Sequence, residues 1–217
     1  WVTILDKIYA ETAPFDYHGK YFSLKNVEGK PKPWGNGRPL LMSAGSSPAG
    51  RAFAVNYTDC LFMVITEEDT IASDVAQVRA VPGADKCGLY ASGHLLCRRT
   101  AKETEEYYHY LVREKGDWEA AEQIIAKRAA GGSQSLSPDI MRRMKERVIG
   151  GGATFPVIGS YDEVAEKFLR LSEAGLDGMA LILVNYVQEM PILRDEVLPR
   201  LERLKLRAGH KTSETRS

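Results

Sequence analysis

Apolar positions along the chain follow two rhythms. Val2, Ile4, Leu5 and Ile8 fall on one face of a helix that is already under way at the first residue. Short continuous apolar runs, Leu40–Met42, Leu61–Ile65 and Met179–Val184, read instead as strands, as does Gly88–Arg99. Runs that do not alternate suit parallel strands covered on both faces. Helical patterns fill the intervals. One follows Pro48 with Ala52, Phe53 and Val55 inward, one covers Glu67–Arg79, and one covers Ala101–Lys115 with Tyr107, Tyr108, Leu111 and Val112 on its apolar side. A longer stretch, Trp118–Ile149, is broken at Gly131-Gly132, recapped around Ser137-Pro138-Asp139 and ended by Gly150-Gly151-Gly152. Ser160 and Glu163 form a capping box ahead of Val164, Ala165, Phe168 and Leu171, and Gly175 closes that helix. The last helix carries Leu193, Val197, Leu201 and Leu204, with a kink expected at Pro199. Near the start, Phe15–Leu24 reads as a hairpin turning at His18-Gly19, and Lys30–Gly37 as an extended surface connection.

Strands that alternate with helices over short links predict an α/β protein with a parallel sheet. About four strong strands are visible, whereas a closed (β/α)₈ barrel has eight in typically ~250 residues. The expected architecture is therefore the C-terminal half of such a barrel plus a helical insertion. A helix that opens at Trp1 without a cap fits a chain continuing from upstream. Residues 1–207 read as part of one barrel domain, and residues 208–217 as a polar disordered tail.

Composition narrows the function. Lys and Arg number 29, Asp and Glu 29, so the near-zero formal charge argues against bulk electrostatic binding to nucleic acid or an anionic membrane surface. The apolar runs are too short to span a bilayer, and no secretory signal pattern is present. Three cysteines without CxxC spacing (Cys60, Cys87, Cys97) disfavour a disulfide framework or a zinc site, so a cytoplasmic, reduced setting is expected.

Two places carry candidate chemistry. The stretch Ala44-Gly45-Ser46-Ser47-Pro48-Ala49-Gly50 joins a strand end to a helix start, the rim where α/β barrels keep their sites. Ser47 is placed to cap, Pro48 suits the first helical position, and no Asp or Glu occupies the first turn. The helix dipole and free amides are then uncompensated, as an anion site requires; an ordinary capped helix is the bland alternative. His94 is the only histidine within a strand pattern, and it could face a pocket or be a core histidine with one hydrogen bond. No metal-ligand spacing or nucleophile elbow is present, and the charged stretches Lys102–Glu106 and Arg142–Arg147 read as solvated faces.

Four passages together resemble the luciferase-like flavin monooxygenases: FDYHGKYF followed by KPKP, PLLMSAGSSPAGRAFAVNYTDCLF, HLLCRRTAKETEEYY, and FPVIGSYDEVAEKFLRLSEAGLDGMALILV. The likeness is strongest to the two-component, reduced-FMN-dependent branch acting on sulfones, alkanesulfonates, pyrimidines or similar compounds. It implies a TIM-like barrel in which reduced FMN and O₂ oxidise a small organic substrate. A separate NAD(P)H-dependent flavin reductase would supply the cofactor, and the full-length protein would be a homo-oligomer. By resemblance, Ala44, Gly45, Ser46, Ser47 and Gly50 contact the FMN phosphate, and His94 matches an active-site histidine. The arginine that alkanesulfonate enzymes carry two positions earlier is Ser92 here, which favours a neutral substrate. Asn185 and Tyr186 follow the last strand and would line the same mouth as substrate contacts. Two alternatives stand beside this reading: a deazaflavin-dependent oxidoreductase of the same fold, and a non-catalytic relative or inactive fragment.

Overall fold

A computed structural model describes residues 1–35, 37–65, 67–129 and 138–208. The expected break at Gly131-Gly132, the Ser137 cap and nearly all of the tail lie outside the described residues. Helix α1 (Val2–Ala10) leads into an antiparallel hairpin, β1 (Phe15–His18) with β2 (Ser23–Val27). The remaining strands form one five-stranded parallel sheet: β3 (Met42–Ser43), β4 (Cys60–Met63), β5 (Gly88–Arg98), β6 (Phe155–Ser160) and β7 (Gly178–Ile182). Helices α2 (Pro48–Tyr57) and α3 (Ile71–Arg79) follow β3 and β4, and α7 (Tyr161–Glu173) follows β6. Between β5 and β6 the chain inserts α4 (Ala101–Tyr108), which continues as a π-helical turn over His109–Glu114, then α5 (Trp118–Ala129) and α6 (Pro138–Gly151). After β7 come α8 (Tyr186–Ile192), a second π-helical turn at Leu193–Val197, and α9 (Leu198–Arg203).

The 11-residue β5 organises this sheet. Its residues Tyr90 and Ala91 pair with both β4 and β7, and Gly93 and His94 with both β6 and β7. A strand has two edges, so β4 and β6 lie end to end along one edge and β7 lies along the other. Alternation then divides the β5 side chains between two faces. Leu89, Ala91, Leu95 and Cys97 enter the main core with Ala54 and Val55 of α2, Val75 and Val78 of α3, and Val164 and Leu171 of α7. Tyr90, Ser92, His94 and Leu96 point the other way.

Aspartates just ahead of two strands stitch the N-terminal ends of the sheet together. Asp59 Oδ2 accepts from the Leu41 amide at 2.7 Å and from Arg38, and Asp177 Oδ2 accepts from the Leu89 amide at 2.7 Å and from Arg79 at 3.2 Å. The Arg38 guanidinium holds the Asp59 carboxyl below the usual carboxylate range. Two capping boxes start helices of the upper layer, Thr100 with Glu103 and Ser160 with Glu163. Gly175 closes α7 at φ +100.

The structure corrects three expectations. Phe155–Ser160 is a strand that the apolar pattern did not show, because Pro156 interrupts it; β6 pairs only with β5, and such an edge tolerates proline. The last helical stretch begins earlier, at Tyr186, with Asn185 as its cap. Finally, only β5 is buried on both faces, with His94 at 2% and Leu96 at 1% opposite Leu95 and Cys97, whereas the runs Leu61–Ile65 and Met179–Val184 are covered on one face. Val64 is 70% exposed, Ile182 38%, Val184 44% and Val187, in α8, 85%. Among the described residues the strands form an open sheet, and the face opposite the main core is bare at Val64, Ile182 and Val184 while α6 covers it at His94.

That bare face sets an expectation for this chain in solution. A buried Val or Ile contributes roughly 1.5–3 kcal/mol, so several left exposed favour association. We expect the chain to self-associate at micromolar concentration and to bind an apolar dye. Val64→Lys with Val187→Lys should shift sedimentation toward monomer. A monodisperse wild-type chain that leaves the dye dark would show that this face is quiet.

Candidate functional site

Both candidate positions sit at the C-terminal end of the sheet. The turn from Ala44 to Ser47 joins β3 to α2, and Ser47 caps the helix as its sequence position predicts, with Oγ accepting from the Gly50 amide at 3.1 Å. The Arg51 amide bonds the Ser47 carbonyl at 2.8 Å, Pro48 has no N–H, and the first turn carries no acidic residue. One first-turn donor, the Ala49 amide, is thus left without a partner among the described groups. The two glycines have a structural reason to be there. A Cβ on Gly45 would lie 2.7 Å from the Gly50 Cα, and one on Gly50 would lie 2.8 Å from the Gly45 Cα. The turn therefore folds directly against the helix backbone, which holds the free donor end at the rim. A small cavity of about 50 Å³ beside it is lined by Gly45, Ser46, Arg51, Phe62 and Val64 among others. Arg51, bonded to Gln77 at 2.9 Å, is a cation near this anion-attracting end that the sequence reading did not single out.

His94 is 2% exposed and lies under the last turn of α6. A Cβ at Gly151 would sit 2.3 Å from the His94 Cβ, and one at Gly150 would sit 3.4 Å from Nε2. These two glycines let the helix backbone lie flat on the imidazole, while Gly152 turns the chain at φ +64. The ring's tautomer follows from its partners. The Thr154 hydroxyl donates to the Gly151 carbonyl at 2.7 Å, so its oxygen can only accept from His94 Nδ1, 3.1 Å away. Nδ1 carries the proton and Nε2 is left as an acceptor. Burial, then the charges of Arg147 and Lys167, push the imidazole pKa down to about 4 against the upward pull of the hydrogen bond at Thr154.

Around His94 is a cavity of about 320 Å³ lined by α4, α6, β6, α7 and the chain after β4. Arg147, expected on a solvated face, is partly buried and donates to the Ile65 carbonyl at 3.2 Å. Burial lowers the Lys167 pKa, and its Nζ donates to the Pro156 carbonyl at 3.3 Å. Tyr108 bonds Glu146 at 3.3 Å, and burial together with the Glu146 charge pushes its phenol up to about 12. None of Tyr108, Glu146, Arg147 and Lys167 was read as a site residue in sequence, because they lie on three separate helices, α4, α6 and α7, that only the fold gathers.

Asn185 and Tyr186 stand at the end of β7. The Asn185 side-chain oxygen is occupied as a cap for the Gln188 amide at 3.2 Å, and Tyr186 is 58% exposed. Their turn is fixed from below by Glu189, which is 4% exposed. One Glu189 oxygen accepts from the Val184 and Asn185 amides at 2.9 and 3.0 Å, the other from Arg98 at 3.4 Å, and the Arg98 guanidinium stacks 3.7 Å from the Tyr107 ring centroid. Among the described residues no three His, Cys, Asp or Glu side chains gather as metal ligands would, and no helix is long and apolar enough to cross a membrane.

The geometry makes two predictions. A buried histidine held neutral in the fold, with its pKa near 4 against about 6.5 in the open chain, favours the folded state fully above pH 6.5. As pH falls from 6.5 toward 4 the unfolded chain takes up a proton that the folded one refuses, and about 2–3 kcal/mol is lost. His94→Gln should flatten the pH–stability curve in that window; an unchanged slope relative to wild type would refute the buried neutral ring. Gly151→Ala should destabilise by about 1–3 kcal/mol through overpacking against the imidazole, measured by denaturant melt.

Comparison with known proteins identifies the family. Residues 1–178 match the family described as luciferase-like monooxygenase. An FMNH₂-dependent dimethylsulfone monooxygenase of Pseudomonas fluorescens (strain Pf0-1) is 25% identical over 202 residues, covering 89% of this chain and 54% of that protein. Pyrimidine monooxygenase RutA of Agrobacterium fabrum is 28% identical over 205 residues, covering 86% and 55%. Among solved structures, DmoA from Hyphomicrobium sulfonivorans aligns with a TM-score of 0.73 at 18% identity, over 93% of this chain and 49% of its own. The chain spans about half the length of the relatives it matches. The chain belongs to the luciferase-like monooxygenase family, and its open parallel sheet is part of that family's TIM-barrel-type fold.

Proposed function

We propose that this chain supplies the C-terminal half of a TIM-type barrel that uses reduced FMN and O₂ to oxidise a small organic substrate. Residues 1–207 belong to that barrel, and the bare inner face is where the other half packs. The observation that carries the reading is the α2 N-terminus: a first turn without acid, an unpartnered Ala49 amide and Arg51 beside it, at the rim of a parallel sheet. This donor set fits a phosphate monoester. Ala44, Gly45, Ser46, Ser47 and Gly50 would hold the FMN phosphate, by backbone amides and the Ser46 hydroxyl, since Ser47 Oγ already caps the helix. Bound there, reduced FMN would supply the oxygen-activating chemistry. The chain's own residues bind, orient and exclude water.

His94, neutral at physiological pH, presents an acceptor rather than a charge and belongs to the active site on this reading. Asn185 and Tyr186 line the substrate mouth through the amide nitrogen and the exposed ring. The partners are a small substrate and a separate NAD(P)H-dependent flavin reductase, the full-length protein is a homo-oligomer, and the setting is the cytoplasm, consistent with three buried free thiols. The relatives named above as FMNH₂-dependent monooxygenases support the cofactor. The deazaflavin alternative shares the fold and has no observation of its own.

Ser47→Asp separates phosphate binding from folding. Aspartate caps helices as well as serine and favours the dipole, so the melting temperature should hold or rise slightly. A carboxylate beside the phosphate should nevertheless weaken FMN binding by about 1–2 kcal/mol in the full-length protein, read by fluorescence titration. FMN affinity equal to wild type would remove the phosphate from this turn.

A further inference from the structure

The cavity over His94 carries an imbalance of charge that its lining alone does not reveal. Three carboxylates and three cations face it. Each carboxylate, however, is already engaged. Glu68 pairs with Arg170 at 2.5 Å, Glu146 with Arg113 at 3.6 Å and Arg142 at 4.0 Å, and Glu67 with Arg147 at 3.7 Å. Arg170, Arg113 and Arg142 lie outside the lining, so they neutralise pocket carboxylates without occupying it. Arg143 and Lys167 have no carboxylate partner among the described side chains. At the floor, His94 is a side chain more than nine-tenths buried whose Nε2 has no hydrogen bond among the described groups. No described buried polar side-chain atom is both sealed and unpartnered, so Nε2 opens to the cavity.

We propose that this pocket binds a small organic acid that presents an N–H or O–H to His94 Nε2 and its anionic group to Arg143 and Lys167. The two demands are separate. The tautomer fixed by Thr154 makes Nε2 an acceptor, which selects a donor on the ligand. Arg143 and Lys167, neither of them ion-paired with a described carboxylate, select a negative charge, and Phe155 and Tyr108 among the lining residues favour an unsaturated or aromatic body between them. The cation absent at Ser92 is thus replaced from α6 and α7. As a substrate class, this deepens the oxygenase reading and rests on it; as a binding site, it stands alone.

A matched set of probes tests it: 4-hydroxybenzoate carries donor and charge, benzoate the charge alone, and phenol the donor alone. Calorimetry on the full-length protein without flavin should give 4-hydroxybenzoate at least about tenfold tighter binding than either of the others, the loss expected for one charge-assisted contact. Long-range ¹H–¹⁵N spectra should show His94 as the Nδ1–H tautomer, with Nε2 shifting on addition of 4-hydroxybenzoate and phenol but not of benzoate. Arg143→Gln, at an exposed position that does not threaten folding, should reduce 4-hydroxybenzoate binding at least about fivefold and leave phenol unchanged. Lys167→Gln is the second variant and should act in the same direction. Equal affinity for all three probes, no binding of any, or unchanged binding in both variants would overturn the proposal. A protein that binds the acid but not FMN would instead sink the oxygenase reading and leave the pocket standing.

Discussion

The register of β5 is the constraint on which the rest of the structure depends. A strand of ordinary length pairs with one neighbour along each edge, but β5 is 11 residues long and carries two neighbours in sequence along one edge. Because side chains alternate, a slip of one residue would exchange Leu89, Ala91, Leu95 and Cys97 with Tyr90, Ser92, His94 and Leu96. The first set has helices to pack on. The second would bring an imidazole and a hydroxyl into that apolar layer without the Thr154 partner. The position of His94 is thus a consequence of core packing on the opposite face. Thr104 helps lock this arrangement: its buried hydroxyl accepts from the Arg98 amide and lies 3.0 Å from the Thr100 and Gly159 carbonyls, where α4, β5 and β6 meet.

The two ends of the sheet are built from different chemistry. At the N-terminal end, Asp59 and Asp177 are tied to amides and guanidinium groups, and their lone pairs are used within the fold. At the C-terminal end, acceptors and donors are left over: the Ala49 amide, His94 Nε2 and Arg143. Saturation at one end gives a rigid base, and incomplete satisfaction at the other gives groups that a ligand can complete. Glu189 lies between the two cases. It is buried and fully engaged, yet the turn it holds is the one bearing Asn185 and Tyr186.

The fold was legible in sequence where local chemistry is strong. Ser47-Pro48, the Ser160–Glu163 box, Gly175 and the unalternating apolar runs each mark an element through interactions within a few residues. Phe155–Ser160 was hidden because Pro156 carries the opposite local signal, and only pairing with β5, some 60 residues away in sequence, outweighs it. Gly150-Gly151 read simply as a helix end, since the imidazole they admit is on another element. The turn proposed to hold the phosphate stood out through its missing acids, a local property. The cationic lining of the His94 cavity was not, because Arg143, Arg147 and Lys167 look like solvated helix faces until α6 and α7 are placed over one strand.

The two anion-attracting places at this end of the molecule differ in kind, and the difference bears on what each can hold. At α2 the attraction comes from backbone dipoles and one amide, which are fixed in direction and short in range. Such a cradle suits a compact tetrahedral group and tolerates little displacement, as the direct contact of Gly45 with Gly50 already implies. Over His94 the attraction comes from the ends of long side chains, Arg143 and Lys167, which can follow a ligand across a cavity of about 320 Å³. Selectivity there must come from the one rigid group, the imidazole held between Thr154 and the α6 backbone. A fixed acceptor with adaptable cations discriminates by the donor a ligand offers more than by its length. On the two proposals together, the sheet would keep one site for a constant group and one for a variable one.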